Sequence, residues 1–366
     1  MSRIIAARRS AVAPRGGAFA ELELHDLAAP VIAQVLEDAG LSTSDVGEIV
    51  LSNALGAGGN PARRVALACG LPDRVAGLSI DRQCAGGLDA LLLADAMIRA
   101  GQHEVVIAGG VESYSRRPLR LRTFADGRAP EPYEQAPFTP WPDRDPDMAV
   151  AADALAGSLG LDRAAQDDWA IESHRKALAC PGDLLQAEIV PVAGLERDAF
   201  TRALTPRHCA KAPVVHGSIT AANMAVAADG AAFVVMVSER VAQALQRPAV
   251  RIAAGCTLGG TPDMPGLAPV VAIEAALAGR DPGELIAAEV MEAFAVQAIA
   301  CTRGAGLAPE IVNRFGGALA RGHPVGASGA ILVVRLFHLL CREGGTGLAA
   351  IAAAGGIGTA VVMERG

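Results

Sequence analysis

Short apolar runs alternate along this chain with stretches of helical spacing. Ile4-Ile5-Ala6-Ala7, Gly47-Glu48-Ile49-Val50-Leu51, Val105-Val106-Ile107-Ala108, Ala231–Val237 and Leu348–Ala352 are short and strongly apolar, which predicts buried strands. Gly109-Gly110 ends the third of them. Asp26–Gly40 and Leu88–Ala100 carry apolar residues at helical spacing, and Gly101 supplies a stop for the second. Strands that alternate with helices predict an α/β fold around a largely buried sheet.

A repeat runs through the pattern. Ala29-Pro30-Val31-Ile32-Ala33 leads to Ala39-Gly40, and Ala268-Pro269-Val270-Val271-Ala272 leads to Ala278-Gly279 at an offset of 239. Glu104–Gly110 and Gly347–Gly358 both end in a strand and Gly-Gly. The pattern implies two similar α/β halves with ligands where they meet, the alternative being chance similarity in Ala-rich sequence. The middle differs. Residues 115–147 are rich in Pro and Arg, which predicts an irregular excursion, and Met148–Pro213 returns to a helical, polar pattern that includes Arg163–Leu178. The expected organisation is an N-terminal half of residues 1–114 plus 218–245, an inserted loop domain over 115–217, and a C-terminal half over 246–366.

Composition narrows the function. The 366 residues include 41 Gly and are 51% hydrophobic but 3% aromatic, so Ala, Val, Leu and Ile must build the core. The formal charge of −7 argues against a nucleic-acid or anionic-membrane partner, which needs a basic field. The chain has no uncharged apolar run of 18 residues and no apolar run of signal-peptide length near its start. Seven scattered cysteines without a C-x-x-C pair argue against a disulfide framework and a metal site, and fit free thiols in a reducing cytoplasm.

Two stretches carry chemistry. In Ser79-Ile80-Asp81-Arg82-Gln83-Cys84-Ala85-Gly86-Gly87-Leu88-Asp89-Ala90 a strand enters a turn of small residues and a helix follows. Cys84 at that helix start would gain thiolate character from free amides and the helix dipole. A buried structural thiol is the competing reading. In Asn313–Gly329 a Gly-rich loop presents Gly322-His323-Pro324 ahead of a second helix. An imidazole there can accept a thiol proton or donate to an oxyanion. A turn histidine with structural hydrogen bonds is the alternative. The absence of a Gly-Lys-Ser/Thr sequence argues against a phosphate loop.

With these motifs the chain resembles a thiolase over essentially its whole length. Asn60-Pro61-Ala62-Arg63, Gly109-Gly110-Val111-Glu112-Ser113, Glu188–Val192, Gly217–Gly230 and Met291–Gln297 add to the resemblance. It implies two βαβαβαββ halves in a five-layered α/β/α/β/α body, with a loop domain that covers coenzyme A. It also implies acylation of Cys84 by an acyl-CoA, assisted by His323, with backbone amides near Cys84 and Ala354 holding the oxyanion. Met148, Asn223, Ala225, Phe294 and Gly326 fall at substrate-contacting positions. CoA thioester is expected as substrate rather than as a tightly bound cofactor. A cytoplasmic homodimer or homotetramer is expected, with Leu78–Gln83 pairing across a two-fold axis.

The chain departs from the family at informative places. The Asn of Asn-Glu-Ala-Phe-Ala is Met291, and the second catalytic Cys, the base that deprotonates the acetyl α-carbon, is Ala352. A methyl group cannot take a proton, and methionine cannot fix a water for an oxyanion. Loss of the oxyanion donor costs about 10²–10³ in rate and loss of the base about 10²–10⁴, whereas acylation needs neither group. The Asn-Ala-Ser-Gly pantetheine segment reads Asn223-Met224-Ala225-Val226, and a Met-Gly pair at the acyl pocket reads Pro265-Gly266. These changes leave carrier-protein phosphopantetheine open beside free CoA. Arg116, Arg117, Arg120 and Arg122 could meet a nucleotide phosphate or an acidic carrier. The expected function is therefore acyl transfer through an acyl-enzyme on Cys84, not ordinary thiolysis. The alternatives are decarboxylative condensation, transfer to a heteroatom or water, or a non-catalytic scaffold. Retention of both Cys84 and His323 speaks against the scaffold.

Overall fold

The computed structural model describes residues 2–56 and 58–366. Two sheets share one strand plan. In the first, the order Glu48–Ser52, Val105–Glu112, Ala228–Ser238, Ser2–Ser10 forms the body, with Leu78–Ile80 added at one edge and Ile189–Val190 at the other. In the second, Leu285–Val290, Gly345–Ala353, Ile357–Arg365 and Arg251–Gly259 follow in the same order. The pairing directions also match. The first two strands of each quartet are parallel and the other pairs antiparallel. The repeat seen in the sequence is thus a repeat of topology. The helices match less closely, because Pro30 lies inside Leu24–Ala39 while Pro269 is the second residue of Ala268–Ala276.

The helices Gly86–Arg99 and Val325–Glu343 lie between the sheets and pack on each other. Leu88, Leu91, Ile331 and Val334 bury completely or nearly so with Val106, Val234, Ala349 and Val361 from the two sheets. Leu24–Ala39 and Pro61–Ala68 cover the outer face of the first sheet, and Ala268–Ala276 and Ala295–Gly304 cover that of the second. The layers are therefore α/β/α/β/α. Val325–Glu343 is long and apolar enough to cross a membrane, but 83% of its apolar window is buried inside the protein. It also carries Arg335, whose guanidinium pairs with buried Glu188 (Nη2–Oε2 3.0 Å). Glu188 in turn pairs with buried Arg9, and Arg9 with Asp198.

One strand boundary differs from the expectation. Val105–Glu112 runs straight through Gly109-Gly110 rather than ending there. The glycines are there for close approach. A Cβ on Gly109 would lie 2.1 Å from the Ala232 carbonyl oxygen, and one on Gly110 would lie 2.0 Å from that of Gly326. Gly87 likewise faces the Gly326 and Gly329 backbone, so the two central helices meet at glycines.

Between Val105–Glu112 and Ala228–Ser238 lies the excursion. Residues 115–147 are irregular apart from a small hairpin (Arg120–Arg122 with Glu131–Tyr133) and one 3₁₀ turn. Met148–Leu159 and Arg163–Leu178 then form helices capped by the side chains of Asp147 and Asp162. Leu155 and Ile219 pack against Val296 and Ile299, so the excursion lies on the C-terminal half. Ile189–Val190 lies within the predicted insert yet joins the first sheet beside Arg9-Ser10.

Candidate active site

Strand Leu78–Ile80 ends at a turn in which Gln83 takes a left-handed conformation (φ 52°). That turn presents Cys84 within the 3₁₀ segment Gln83–Ala85, two residues before the central helix. In the other half, Gly322 (φ 107°) lets the chain turn into His323-Pro324, two residues before its own central helix. A residue with a side chain would be strained at Gly322, and its Cβ would also lie 2.9 Å from Ala228 Cβ. The His323 N–H donates to the Val226 carbonyl, which fixes this loop to the N-terminal half.

The two side chains meet. His323 Nε2 lies 3.2 Å from Cys84 Sγ, and His323 Nδ1 lies 2.6 Å from Ser328 Oγ. Ser328 Oγ donates to the Pro324 carbonyl at 2.9 Å, so its hydroxyl proton is committed and its lone pairs accept from Nδ1–H. That assigns the tautomer: Nε2 is left as an acceptor facing the thiol. Burial pushes the Cys84 thiol up to about 12, against a lowering by its own backbone N–H. Burial, helped by Arg321, pushes His323 down to about 4. The resting pair is therefore a neutral thiol beside a neutral imidazole. This corrects the thiolate expected from the helix start alone: burial outweighs the free amides, and the proton must leave as the sulfur attacks.

The dyad opens into a cavity of ≈660 Å³. Met148, Ala225, Phe294, Ala352 and Ala354 line it with Cys84 and His323, as do Met224 and Pro265. Three predicted positions lie outside its wall. Asn223 is buried, with its side chain accepting from the Thr220 N–H and donating to Asp167 and the Ser218 carbonyl, so it holds the loop rather than a ligand. Met291 is fully buried in the central core and donates its N–H to the Ala350 carbonyl. Gly326 packs against Ser52 and Asn53 backbone and gives its N–H to Glu112.

Two other cysteines of the C-terminal half, Cys301 and Cys256, do not take the place of the missing base. Cys301 is fully buried, directs its thiol to the Gly266 carbonyl and is pushed up to about 12 by burial. Cys256 directs its thiol to the Ala272 carbonyl. Neither lines the cavity. The cavity's carboxylates each have one partner: Asp81 accepts from the Gln83 N–H, Asp147 from the Ala149 N–H, and Glu134 pairs with Arg117.

Several residues that shape the site were not singled out as site residues from the sequence. Glu112 is buried and accepts from the Ala54, Leu55 and Gly326 N–H groups and the Asn53 amide, tying the Cys84 half to the His323 loop. Burial pushes its carboxyl up to about 7 against those hydrogen bonds. Tyr114 lines the cavity, and burial together with the neighbouring Cys84 and Glu112 charges raises its phenol, keeping it a proton donor. Ser328 could have been found: it lies on the first turn of the helix that His323 precedes.

Comparison with known proteins agrees with this geometry. The family model described as thiolase, N-terminal domain, matches residues 2–240, and that described as thiolase, C-terminal domain, matches residues 246–365. A Bacillus subtilis (strain 168) protein named "Putative acetyl-CoA C-acetyltransferase YhfS" is 38% identical over 376 residues, covering 99% of this chain and 98% of that protein. A Staphylococcus aureus (strain MRSA252) protein named "Putative acetyl-CoA C-acetyltransferase VraB" is 35% identical over 378 residues, with coverage of 99% and 98%. The crystal structure of the Bacillus anthracis acetyl-CoA acetyltransferase superimposes with a TM-score of 0.93 at 32% identity, covering 100% of this chain and 98% of that one. Human mitochondrial 3-ketoacyl-CoA thiolase in complex with CoA gives a TM-score of 0.92 at 28% identity, with the same coverage.

Proposed function

This chain belongs to the thiolase family, and from that membership we propose that it transfers an acyl group through a thioester on Cys84 without ordinary thiolysis. The observation that carries the reading is the 3.2 Å contact between Cys84 Sγ and an acceptor-state His323 Nε2 in a cavity where Ala352 presents only a methyl group.

In the first half-reaction the Cys84 thiol gives its proton to His323 Nε2 as the sulfur attacks the carbonyl carbon of an acyl-CoA or carrier-bound thioester. The N–H groups of Cys84 and Ala354 hold the oxyanion, and Nδ1–H stays on Ser328, which supports the imidazolium. Collapse breaks the donor's C–S bond, and the departing thiolate takes the proton from His323. The acyl group remains on Cys84, and both active-site side chains return to their neutral forms.

In the second half-reaction a nucleophile attacks the acyl-Cys84 carbonyl and the Cys84 sulfur leaves. An acetyl carbon nucleophile would need a base at its α-carbon. Ala352 cannot serve, and Cys301 and Cys256 lie outside the cavity. An oxygen, nitrogen or sulfur nucleophile needs no such base, since His323 can take its proton. A carbanion released by loss of CO₂ needs none either.

Incubation with acetyl-CoA and longer acyl-CoAs, followed by intact mass spectrometry, tests the reading. A covalent adduct that vanishes in Cys84→Ala is expected. The lack of an adduct with any thioester donor would remove the acyl-enzyme and favour a scaffold role.

A further inference from the structure

Beside the main cavity lies a smaller one of ≈190 Å³. Tyr114, Arg117, Arg120 and Glu134 line both. Arg15 adds a third guanidinium to the smaller cavity, whose only carboxylate is Glu134. Three cations thus face one anion in a chain whose overall charge is −7.

The pairing is incomplete. Arg117 is mostly buried (17% side-chain exposure) and pairs with Glu134, which is 80% exposed. Arg120 donates only to the Ala54 carbonyl, 3.1 Å away. Arg15 and Arg120 form no ion pair with any described residue. Burial raises the Tyr114 phenol and keeps it a donor, and the Arg117 guanidinium carbon lies 5.9 Å from its ring centroid. Glu112 lies behind it, but its oxygens are occupied by N–H donors. A guanidinium pair and a phenol O–H match the planar oxygens of a carboxylate.

We propose that Arg117, Arg120 and Tyr114, with Arg15 at the outer edge, form a subsite that selects acyl thioesters bearing a second, terminal carboxylate. The inference rests on the acyl-enzyme reading and names its substrate class: short-chain dicarboxylic acyl thioesters. The substrate carboxylate replaces Glu134 on Arg117, so an exposed surface ion pair is exchanged for a sheltered one. The terminal carboxylate of a succinyl or glutaryl thioester has no β-carbonyl to drive its loss as CO₂, so the intact dicarboxylic acyl group is transferred. A CoA phosphate is the other anion that could reach arginines, but it lies at the far end of the pantetheine arm, whereas Arg117 and Arg120 line the cavity of Cys84.

The test compares Cys84 acylation by succinyl- and glutaryl-CoA with that by butyryl- and valeryl-CoA, read by intact mass over time. The expected result is faster acylation by the dicarboxylic donors by about 10-fold or more, the discrimination that one charge-assisted contact supplies. That ratio should collapse in Arg117→Ala and Arg120→Ala, recover partly in Arg117→Lys, and rise in Glu134→Gln. Thermal melting of each variant separates a lost subsite from a lost fold. The same donors as N-acetylcysteamine thioesters, which carry no phosphate, should keep the preference. Loss of the preference there, with an equal effect of the variants on all CoA donors, would assign the arginines to phosphate and overturn the proposal. Acylation by acetyl- or butyryl-CoA without a dicarboxylic preference would overturn this inference alone. Failure of every thioester would remove the acyl-enzyme reading and this inference with it.

Discussion

Cys84 and His323 are counterparts in the internal duplication. They lie 239 residues apart, the offset of the Ala-Pro repeat, and each stands two residues before the central helix of its half. Packing those two helices against each other brings the two loops face to face, so one structural position, used twice, supplies both a nucleophile and its base.

The neutral resting pair predicts a pH profile. His323 loses its role as base only when it is protonated in the fold, near pH 4, and the thiol ionises only near 12. The rate of Cys84 acylation should be flat across neutrality and fall as pH drops through about 4. Stopped-quench mass spectrometry from pH 4 to 9 checks this, and a steep rise between pH 6 and 7 would show an ordinary histidine. Ser328→Ala should slow acylation by about 10-fold by releasing the tautomer.

Restoring the missing base is a gain-of-function test. With α-deuterated acetyl-CoA, the natural protein should show negligible exchange of label into water. Ala352→Cys should raise that exchange, and the double variant with Met291→Asn should raise it further. Exchange by the unaltered protein at the rate of the Ala352→Cys variant would mean that another group removes the α-proton.

Glu289 lies fully buried on Leu285–Val290 with neither carboxyl oxygen hydrogen-bonded, and burial raises it to about 7. A folded-state value above the unfolded one means that its stability is full below pH 4.5 and lost as pH rises through about 7. Glu289→Gln should therefore leave urea stability unchanged at pH 5 and raise it at pH 8 by up to about 3 kcal/mol. Equal effects at both pH values would show that burial does not set this titration.

Gly110→Ala would place a Cβ 2.0 Å from the Gly326 carbonyl, three residues beyond His323. Destabilisation of about 3 kcal/mol is expected, with slower acylation as the His323 loop shifts. Gly157→Ala, on a surface helix with open space around it, should leave acylation unchanged and raise stability by about 0.5–1 kcal/mol, the helix preference of alanine over glycine. Denaturant melts and adduct formation read both.

The edge strand Leu78–Ile80 pairs with Glu48–Ser52 on one side only within the chain. We propose that a second copy covers its other side. Light scattering should then give a multiple of the 37.2 kDa chain mass, and a mass equal to one chain would refute the pairing.

Local chemistry made much of this protein readable in advance. Arg163–Leu178 is marked as a helix by its helical, polar pattern, and the apolar runs around Val105 and Ala231 had nowhere to go but a buried sheet. The local motifs singled out Cys84 and His323, and the family resemblance named Ala352 as the missing base. What the sequence could not decide depended on contacts between distant segments. Gly109-Gly110 reads locally as a stop, yet it continues a strand because Gly326 and Ala232 press against it. Cys84 reads as an activated thiolate at a helix start, yet burial keeps it a thiol. Asn223 reads as a ligand contact, yet Thr220, Asp167 and Ser218 consume its hydrogen bonds. Composition and periodicity act along the chain, whereas desolvation, close approach and hydrogen-bond competition exist only after the two halves have packed.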